Sequence, residues 1–110
     1  MQNCIFCKII AREIPGDIVF EDDSIIAFRD IQPLAPVHVL VVPKEHYRSL
    51  DELPSGDLLN AGNILLAIKN VAEQLGVSGG YKVVTNCGEP AGQVVPHLHF
   101  HILAGKKFVP

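Results

Sequence analysis

The sequence predicts an α+β fold, in which an antiparallel sheet of five strands carries one long and one short helix. Five short segments rich in β-branched and aromatic residues are separated by turn residues, which is typical of strands. One stretch of about 20 residues has apolar side chains at steps of three and four, which predicts a helix. Because the chain has 110 residues and 48% of them are hydrophobic, we expect a single domain that covers residues 1–110.

A short helix and two strands are predicted for the first part of the chain. The segment CIFCKIIARE, residues 4–13, has isoleucines at helical spacing and ends before a Pro-Gly pair, which does not continue a helix. The segments DIVFED and SIIAFRD, residues 17–22 and 24–30, are rich in β-branched residues and meet at a pair of aspartates. They therefore predict two strands joined by a tight turn.

A buried strand and the long helix are predicted for the middle of the chain. VHVLVVP, residues 37–43, follows a proline-containing loop and is rich in β-branched residues, which predicts a strand buried on both faces. The segment SLDE matches a capping box, with Ser49 as the cap and Glu52 reaching back to it. The long helix is expected at about residues 56–75 and ends at Gly76. Its predicted apolar stripe consists of Leu58, Leu59, Gly62, Leu65, Ile68, Ala72 and Leu75.

Two further strands complete the predicted sheet. GGYKVVTN, residues 79–86, reads as the fourth strand, and the Gly/Pro-rich segment at 87–95 reads as a loop. HLHFHIL, residues 97–103, alternates polar and apolar residues and predicts the fifth strand. One long helix inserted among five such strands is typical of an α+β domain built on an antiparallel sheet.

Charge and composition argue against several functional classes. The net charge is −3 and no run of Lys or Arg is present, so we expect no general nucleic-acid binding. No segment approaches the length of a membrane span, and the N-terminal MQNCIFCKII has neither a basic region nor a cleavage site. Three cysteines, an odd number, do not suit a disulfide framework. We therefore expect a cytoplasmic protein that does not bind membranes.

The histidines are the most unusual feature of the chain. Three of the five lie at every second residue near the C-terminus, at His97, His99 and His101, between large apolar side chains. Alternation of this kind also describes the solvent face of an ordinary half-buried strand. However, Lys, Glu or Thr would fill such a face equally well, whereas histidine titrates near neutral pH. The row therefore favours a chemical role.

The chain also contains half of a zinc site. Cys4 and Cys7 form a C-x-x-C pair, and His46 and His97 are the natural candidates to complete four ligands because no second such pair exists. One metal ion cannot bind both ends of the histidine row, since His97 and His101 should be about 13 Å apart along a strand. We therefore expect structural zinc, with a redox dithiol or two buried thiols as the alternatives.

Taken together, these motifs resemble the histidine triad (HIT) family. HLHFHIL matches the family's signature of three histidines that alternate with apolar residues, and FRDI, VVPKEH and NCGEPAGQVV resemble the branch of histidine-triad nucleotide-binding proteins. The paired cysteines resemble its bacterial zinc-containing members. The resemblance implies a hydrolase that forms a covalent nucleotidyl-histidine and releases a nucleoside monophosphate. It also implies a homodimer in which two sheets join into one.

The resemblance implies a role for each histidine of the row. His99 is expected to be the nucleophile, with one ring nitrogen held by the backbone carbonyl of His97 so that the other is bare. His101 and His38 are expected to donate hydrogen bonds to phosphate oxygens as charge reorganises. The catalytic residues expected from the sequence are therefore His99, His101, His97 and His38.

The resemblance also implies a nucleotide site. Asp30 is expected to accept hydrogen bonds from the ribose hydroxyls. The glycines of the NCGEPAGQVV loop allow the backbone to approach a phosphate closely. The nucleotide-binding residues expected are Asp30, Ile31, Phe6, Ile9, Phe28, Asn86, Gly92, Gln93, Val94, His99 and His101. Val94 stands where relatives often have serine, so a hydroxyl that could assist the leaving group is missing.

The function that this resemblance implies is hydrolysis of purine nucleoside phosphoramidates or acyl-nucleotides to AMP or GMP. A dinucleoside polyphosphate hydrolase is an alternative of the same class. A second alternative is a zinc-stabilised nucleotide-binding or scaffold dimer with little turnover. A third is a metalloenzyme in which the histidine row itself binds a catalytic metal ion.

Overall fold

The computed structural model describes residues 3–110, which contain two α-helices and one five-stranded antiparallel sheet. The predicted α+β class is therefore confirmed. Met1 and Gln2, at the start of the segment MQNCIFCKII, lie outside the described residues. The elements are α1 (Ile5–Ile10), β1 (Ile18–Glu21), β2 (Ile25–Arg29), β3 (Val37–Pro43), α2 (Leu58–Gln74), β4 (Tyr81–Val84) and β5 (Phe100–Ala104).

The strand order places β3 at the centre of the sheet. The order is β1-β2-β3-β5-β4, and every neighbouring pair is antiparallel. Six of the seven residues of β3 are buried, as its β-branched sequence predicts. In the register of β3 and β5, Leu40 lies opposite His101 and His38 lies opposite Leu103. The two histidines are therefore diagonal neighbours on one face of the sheet.

Each face of the sheet carries its own apolar cluster. One cluster packs β2, β3 and β5 against α2 and includes Val39, Val41, Ile68 and Val71. The other packs α1 against the opposite face and includes Phe6, Ile9, Phe28 and Leu40. Because side chains alternate along a strand, His38 and His101 lie on the α1 face.

The buried stripe of α2 differs from the predicted one. The residues that face the sheet are Ile64, Ala67, Ile68, Val71 and Ala72. Only Ile68 and Ala72 of the predicted stripe belong to this buried set, and Leu75 is partly buried against the same cluster. The assignment was wrong for Leu58, Leu59 and Leu65, which are 77%, 77% and 65% exposed. The helix is apolar on two faces, so spacing alone did not identify the one that packs on the sheet.

The predicted capping box was also wrong. Ser49 precedes a single 3-10 turn, Leu50–Glu52, and its side chain makes no capping hydrogen bond. The Glu52 carboxylate instead accepts a hydrogen bond from the backbone N–H of Arg48 at 2.7 Å. The cap of α2 is Asp57, whose side chain accepts from the N–H of Asn60. Gly76 follows the helix with a φ of +75°, as its predicted role requires.

The last strand begins later than the histidine pattern predicts. β5 starts at Phe100, so His97 and His99 precede the strand and only His101 lies within it. The backbone of the preceding segment bonds outside the sheet, because the N–H of Leu98 donates to the carbonyl of Tyr47 at 2.7 Å. The estimated spacing of about 13 Å assumed one continuous strand and therefore does not apply.

Gly105 ends β5 in a conformation that an alanine would not tolerate. Its φ is +93°, and a Cβ there would lie 2.8 Å from Cβ of Pro36. We expect Gly105→Ala to lower the free energy of unfolding by about 2–4 kcal/mol, because backbone strain and overpacking add. Gly79→Ala, at a φ of +84° with open space around it, should cost only about 1–2 kcal/mol. If urea denaturation showed that both variants lose the same free energy of unfolding, the packing contribution of Pro36 would be contradicted.

Candidate active site and metal-binding cluster

His99 is buried, and one of its ring nitrogens is occupied. Its Nδ1 lies 2.6 Å from the backbone carbonyl oxygen of His97. A carbonyl only accepts, so Nδ1 carries the proton and donates, and Nε2 of the neutral ring keeps its lone pair. The hydroxyl of Thr85 donates to the carbonyl of His99 itself at 2.8 Å. The ring of Phe6 stands edge-on to the imidazole, at a centroid separation of 5.0 Å.

His38 and His101 form a hydrogen-bonded pair whose proton positions follow from the backbone. The N–H of Leu34 donates to Nδ1 of His38 at 3.0 Å, so this nitrogen is an acceptor. The proton of the neutral ring is therefore on Nε2, which lies 2.9 Å from Nδ1 of His101. That nitrogen accepts, so His101 carries its own proton on Nε2. Within residues 3–110, the pair therefore leaves one N–H donor without a partner, on His101.

The proton positions also bear on whether Asp30, His38 and His101 could bind a metal ion. One donor atom from each lies within 4.8 Å of the others, which would also suit a metal ion. However, a metal bound by Nε2 of His38 would require the proton on Nδ1, where it would face the N–H of Leu34. Two donors cannot share that contact. The metalloenzyme alternative is therefore disfavoured at His38.

Asp30 is oriented by the backbone and by His38. Its Oδ1 accepts from the N–H of Gln32 at 2.8 Å, and its Oδ2 lies 3.5 Å from Nε2 of His38. The backbone N–H of Asp30 donates to the carbonyl of His38, which fixes the residue at the end of β2. The carboxylate is only partly buried, so it can accept further hydrogen bonds from a ligand.

Burial favours the neutral form of the histidines of the site, because it lowers their pKa values. It lowers the pKa values of His99 and His38, and together with the neighbouring His99 and His38 it lowers the pKa of His101 to about 4. The ordinary histidine pKa is 6.5. A neutral ring is the form that has a nucleophilic nitrogen.

These shifts predict how stability depends on pH. Between pH 6.5 and about 4, an unfolded His101 binds a proton that the folded protein excludes. The stabilisation is therefore complete above pH 6.5 and is lost as the pH falls through this window. We expect the urea midpoint of unfolding to decrease as the pH falls. In His101→Gln, the slope of the free energy of unfolding against pH should be smaller, by the equivalent of up to about one bound proton. An unchanged slope in that variant would contradict the assignment to His101.

The loop before the histidines is closed by Gln93. Its side-chain oxygen accepts from the N–H of Gly88 at 2.7 Å, and its amide nitrogen donates to the carbonyls of Arg48 and Val95. Gly88 and Gly92 both have positive φ, at +88° and +96°. Both polar atoms of Gln93 are thus engaged within the protein, so the side chain shapes the loop.

The remaining predicted nucleotide residues divide into buried and exposed sets. Phe6, Ile9 and Phe28 are buried in the cluster that α1 forms with the sheet. Ile31 is 92% exposed and Val94 is 89% exposed, while Asn86 is partly buried. A cavity of about 370 Å³ opens beside Ile9 and is lined by Ile9, Arg12, Glu13, Ile14, Pro15, Gly16 and Ile18.

The four predicted metal ligands come together. Sγ of Cys4 lies 3.3 Å from Nδ1 of His97, and Sγ of Cys7 lies 3.3 Å from Nδ1 of His46. Sγ of Cys7 also lies 3.6 Å from Nδ1 of His97. All four donor atoms are within 4.8 Å of one another. We refer to Cys4, Cys7, His46 and His97 as the cysteine–histidine cluster.

The cysteine–histidine cluster fits a zinc ion. A tetrahedral site with zinc bonds of about 2.0–2.3 Å has donor separations of about 3.3–3.8 Å, close to those found here. Nε2 of His97 lies 2.8 Å from the carbonyl of Pro43 and must donate, so Nδ1 is bare. Burial and the Cys4 thiol raise the pKa of Cys7 to about 11. A bound cation would supply the charge that a thiolate needs there.

Several positioning contacts could not have been found from the sequence. The N–H of Leu34 and the carbonyl of Pro43 fix the imidazoles of His38 and His97, and the carbonyl of Tyr47 holds the backbone of Leu98. Nearly every residue type provides such backbone groups. The Thr85 hydroxyl was missed for a related reason. Threonine is common in strands, and its contact with His99 depends on the pairing of β4 with β5.

Comparison with known proteins agrees with this fold. The HIT domain family matches residues 11–108. An uncharacterized HIT-like protein of Synechococcus elongatus is 49% identical over 105 residues, which are 96% of this chain and 92% of that protein. The α+β fold and the histidine row define a protein of the HIT class. The chain belongs to the HIT domain family.

Solved structures extend the similarity to the whole fold. A HIT family hydrolase from Clostridium thermocellum has a TM-score of 0.95 and 48% identity, over 100% of this chain and 96% of that one. A histidine triad nucleotide-binding protein from Candida albicans has a TM-score of 0.83 and 39% identity. The match covers 91% of this chain and 73% of that one. In the described part of this chain, no helix has the length and hydropathy needed to cross a bilayer.

Proposed function

We propose that this protein hydrolyses purine nucleoside 5′-phosphoramidates or acyl-nucleotides through a covalent nucleotidyl-histidine. The observation that carries the proposal is the hydrogen bond from Nδ1 of His99 to the carbonyl of His97. In the neutral ring, whose formation burial favours by lowering the pKa of His99, this hydrogen bond leaves Nε2 unprotonated. The hydrolase from C. thermocellum, which has nearly the same fold, supports a hydrolytic activity.

The reaction takes place in two displacements. Nε2 of His99 forms a bond to phosphorus as the bond to the amine or acyl oxygen breaks, and the leaving group departs with its electron pair and takes up a proton. Water then attacks phosphorus, the bond to Nε2 breaks, and the nucleoside monophosphate leaves with a neutral His99. Splitting one difficult step into two easier ones is the advantage of covalent catalysis.

His101 is the group proposed to stabilise the phosphate during both steps. Leu34 donates to His38, and His38 donates to Nδ1 of His101. The Nε2–H of His101 therefore remains available to a ligand. A donor that is already oriented requires no reorganisation when charge develops, and typically contributes about 10²–10³ in rate. His38 is proposed to act with it, through the hydrogen bond that fixes its proton.

The nucleotide is proposed to bind between Asp30 and the loop at residues 86–94. Asp30 has a partly exposed carboxylate that can accept from the ribose hydroxyls. The glycines of the loop allow the backbone N–H groups to approach a phosphate. Ile31 is exposed enough to meet a base. The C. albicans nucleotide-binding protein supports this assignment, and purine preference belongs to the same proposal.

Zinc is proposed as a structural cofactor held by the cysteine–histidine cluster, as in the bacterial zinc-containing branch. When bound, the ion joins α1 to the segments that carry His46 and His97, which lie far apart in the sequence. We also propose one HIT domain over residues 1–110 and a cytoplasmic location, which a free-thiol zinc site suits.

A nucleotide-binding or scaffold protein with little turnover is the second candidate. Val94 favours it, because its side chain is 89% exposed beside the loop and provides no hydroxyl for a leaving group. The test is to supply an adenosine phosphoramidate, an acyl-adenylate and a diadenosine polyphosphate while AMP binding is measured. We expect turnover of the first two. AMP binding without turnover would support the second candidate, and preference for the third substrate would indicate a dinucleoside polyphosphate hydrolase.

A homodimer is proposed through the second apolar face of α2. Leu58, Leu59, Leu65 and Leu66 are 60–77% exposed on a single helix, an apolar patch that typically marks a protein interface. β4 is an edge strand of the sheet, so its free edge can pair with that of a second copy.

Leu65→Asp is expected to convert this dimer to monomers. A buried, unpaired carboxylate costs several kcal/mol at an interface, which corresponds to at least a 10²-fold weaker dimer. Leu34→Asp, on an exposed loop outside α2, is the matched control and should stay dimeric. Sedimentation velocity at micromolar concentration measures both variants, and a dimeric Leu65→Asp protein would exclude this interface.

A further inference from the structure

The cysteine–histidine cluster and the proposed nucleophile share one residue. The ring of His97 contacts both sulfurs through Nδ1, and its backbone carbonyl accepts the proton of His99. We propose that His97 is a positioning residue through which metal occupancy of the cluster sets the orientation of His99. This inference rests on the proposed function, because it assigns a catalytic consequence to a site whose expected role is structural.

The ring of His97 is anchored at both of its nitrogens. Nε2 donates to the carbonyl of Pro43 at the end of β3, and Nδ1 faces the two sulfurs. The residue is completely buried. Without a cation, Nδ1 keeps only weak hydrogen bonds from thiols as its second anchor. With a cation, both anchors are strong and the ring position is fixed.

The position of this ring determines where the carbonyl of His97 points. The backbone next to this carbonyl is held by the hydrogen bonds from His97 N–H to Val95 and from Leu98 N–H to Tyr47. Further along the chain, Gln93 donates to the carbonyl of Val95 and Thr85 to that of His99, but no hydrogen bond other than that of His99 is made to the His97 carbonyl among the described residues. Tyr47 directly follows His46, a second member of the cluster. Loss of the metal therefore loosens both segments that hold the carbonyl. The proton of His99 then has no fixed acceptor, and the ring can adopt its other tautomer.

The other tautomer is inactive in the proposed reaction. A proton on Nε2 of His99 removes the lone pair that would attack phosphorus, while the nucleotide contacts of Asp30 and the loop remain. The metal should therefore affect kcat far more than KM or AMP affinity. Residues that orient a functional group from outside it typically contribute about 10–100-fold.

The test observes the tautomer directly. Protein labelled with ¹⁵N-histidine is studied by long-range ¹H–¹⁵N correlation, with zinc bound, after chelation, and after zinc is restored. We expect only the Nδ1–H form of His99 in the zinc-bound protein and a mixture of the two tautomers after chelation. Chelation should also lower kcat by about 10–100-fold and change KM by less than about 3-fold. Restoring zinc should reverse all of these changes. A pure Nδ1–H form with unchanged kcat after chelation would overturn the inference.

Two variants separate positioning from general destabilisation. Val71→Ala removes core packing at a fully buried site far from the cluster in sequence, and should leave the His99 tautomer unchanged. If the chelated protein unfolds, His46→Ala is titrated with zinc under conditions in which it stays folded, and the Nδ1–H fraction of His99 should follow the bound zinc. A fraction independent of zinc would overturn the inference.

Failure of this inference can be distinguished from failure of the proposed function. If the zinc-loaded protein hydrolyses no nucleotide conjugate, the proposed function is wrong, whereas the tautomer measurement still reports the coupling. If hydrolysis is normal and the tautomer does not respond to zinc, the cluster is purely structural. A mixed tautomer in the zinc-loaded protein would contradict both proposals.

Discussion

His99→Ala is expected to abolish hydrolysis of an adenosine phosphoramidate while AMP still binds. The variant removes the only nitrogen proposed to attack phosphorus, and loss of a nucleophile typically lowers kcat by at least about 10³-fold. AMP affinity should change by less than about 10-fold, because Asp30 and the loop at 86–94 are intact. Single-turnover kinetics and isothermal calorimetry measure the two quantities.

His101→Gln is the matched control for this experiment. It alters the neighbouring imidazole but leaves Nε2 of His99 in place, so we expect a loss of only about 10²–10³-fold and continued formation of the covalent intermediate. Zinc content should stay stoichiometric in both variants, since neither residue belongs to the cysteine–histidine cluster. Undiminished turnover in His99→Ala would remove the nucleophile assignment, and loss of metal would favour a catalytic metal at the histidine row.

Cys4→Ala is expected to cause the largest loss of stability. Structural zinc contributes on the order of 10 kcal/mol in small zinc-dependent folds. Here two apolar clusters also hold the sheet and helices together, so we expect a smaller but still large loss that leaves the zinc-free protein folded. Cys4 also caps α1, because its Sγ accepts from the N–H of Cys7 at 3.4 Å. We therefore expect a variant that lacks bound zinc and melts far below the wild-type protein.

Cys87→Ala is the control, because Cys87 is the third free cysteine and lies outside the cluster. It should keep its zinc and should melt within a few degrees of the wild-type protein. Metal content by mass spectrometry and thermal unfolding by circular dichroism measure both variants. Stoichiometric zinc in Cys4→Ala would contradict the proposed ligand set, and equal melting temperatures would show that the metal contributes little.

The strands and the cluster could be predicted because their signals are carried by residue type. β-branched runs identified β2 and β3 closely, and the Cys4–Cys7 pair together with isolated histidines was enough to predict a four-ligand set. The division of the histidine row between two groups was also predicted, although the spacing estimate behind it assumed a continuous strand that the structure does not have. The structure places His97 in one group and His101 in the other.

The parts that could not be predicted depend on tertiary contacts. Two apolar faces on α2 gave no indication of which one packs on the sheet. The late start of β5 depends on a backbone hydrogen bond to Tyr47, and the proton positions of His38 and His101 depend on the N–H of Leu34. None of these backbone groups has a signature in the sequence, although together they determine which nitrogens are free.

The covalent intermediate on His99 is the central claim, and mass spectrometry tests it most directly. The protein is mixed with a slowly hydrolysed nucleoside phosphoramidate, quenched and digested. We predict an adduct of one nucleoside monophosphate on the peptide that contains residues 97–101, absent from His99→Ala and present in His101→Gln. Turnover without any adduct on that peptide, or an adduct that persists in His99→Ala, would contradict the account.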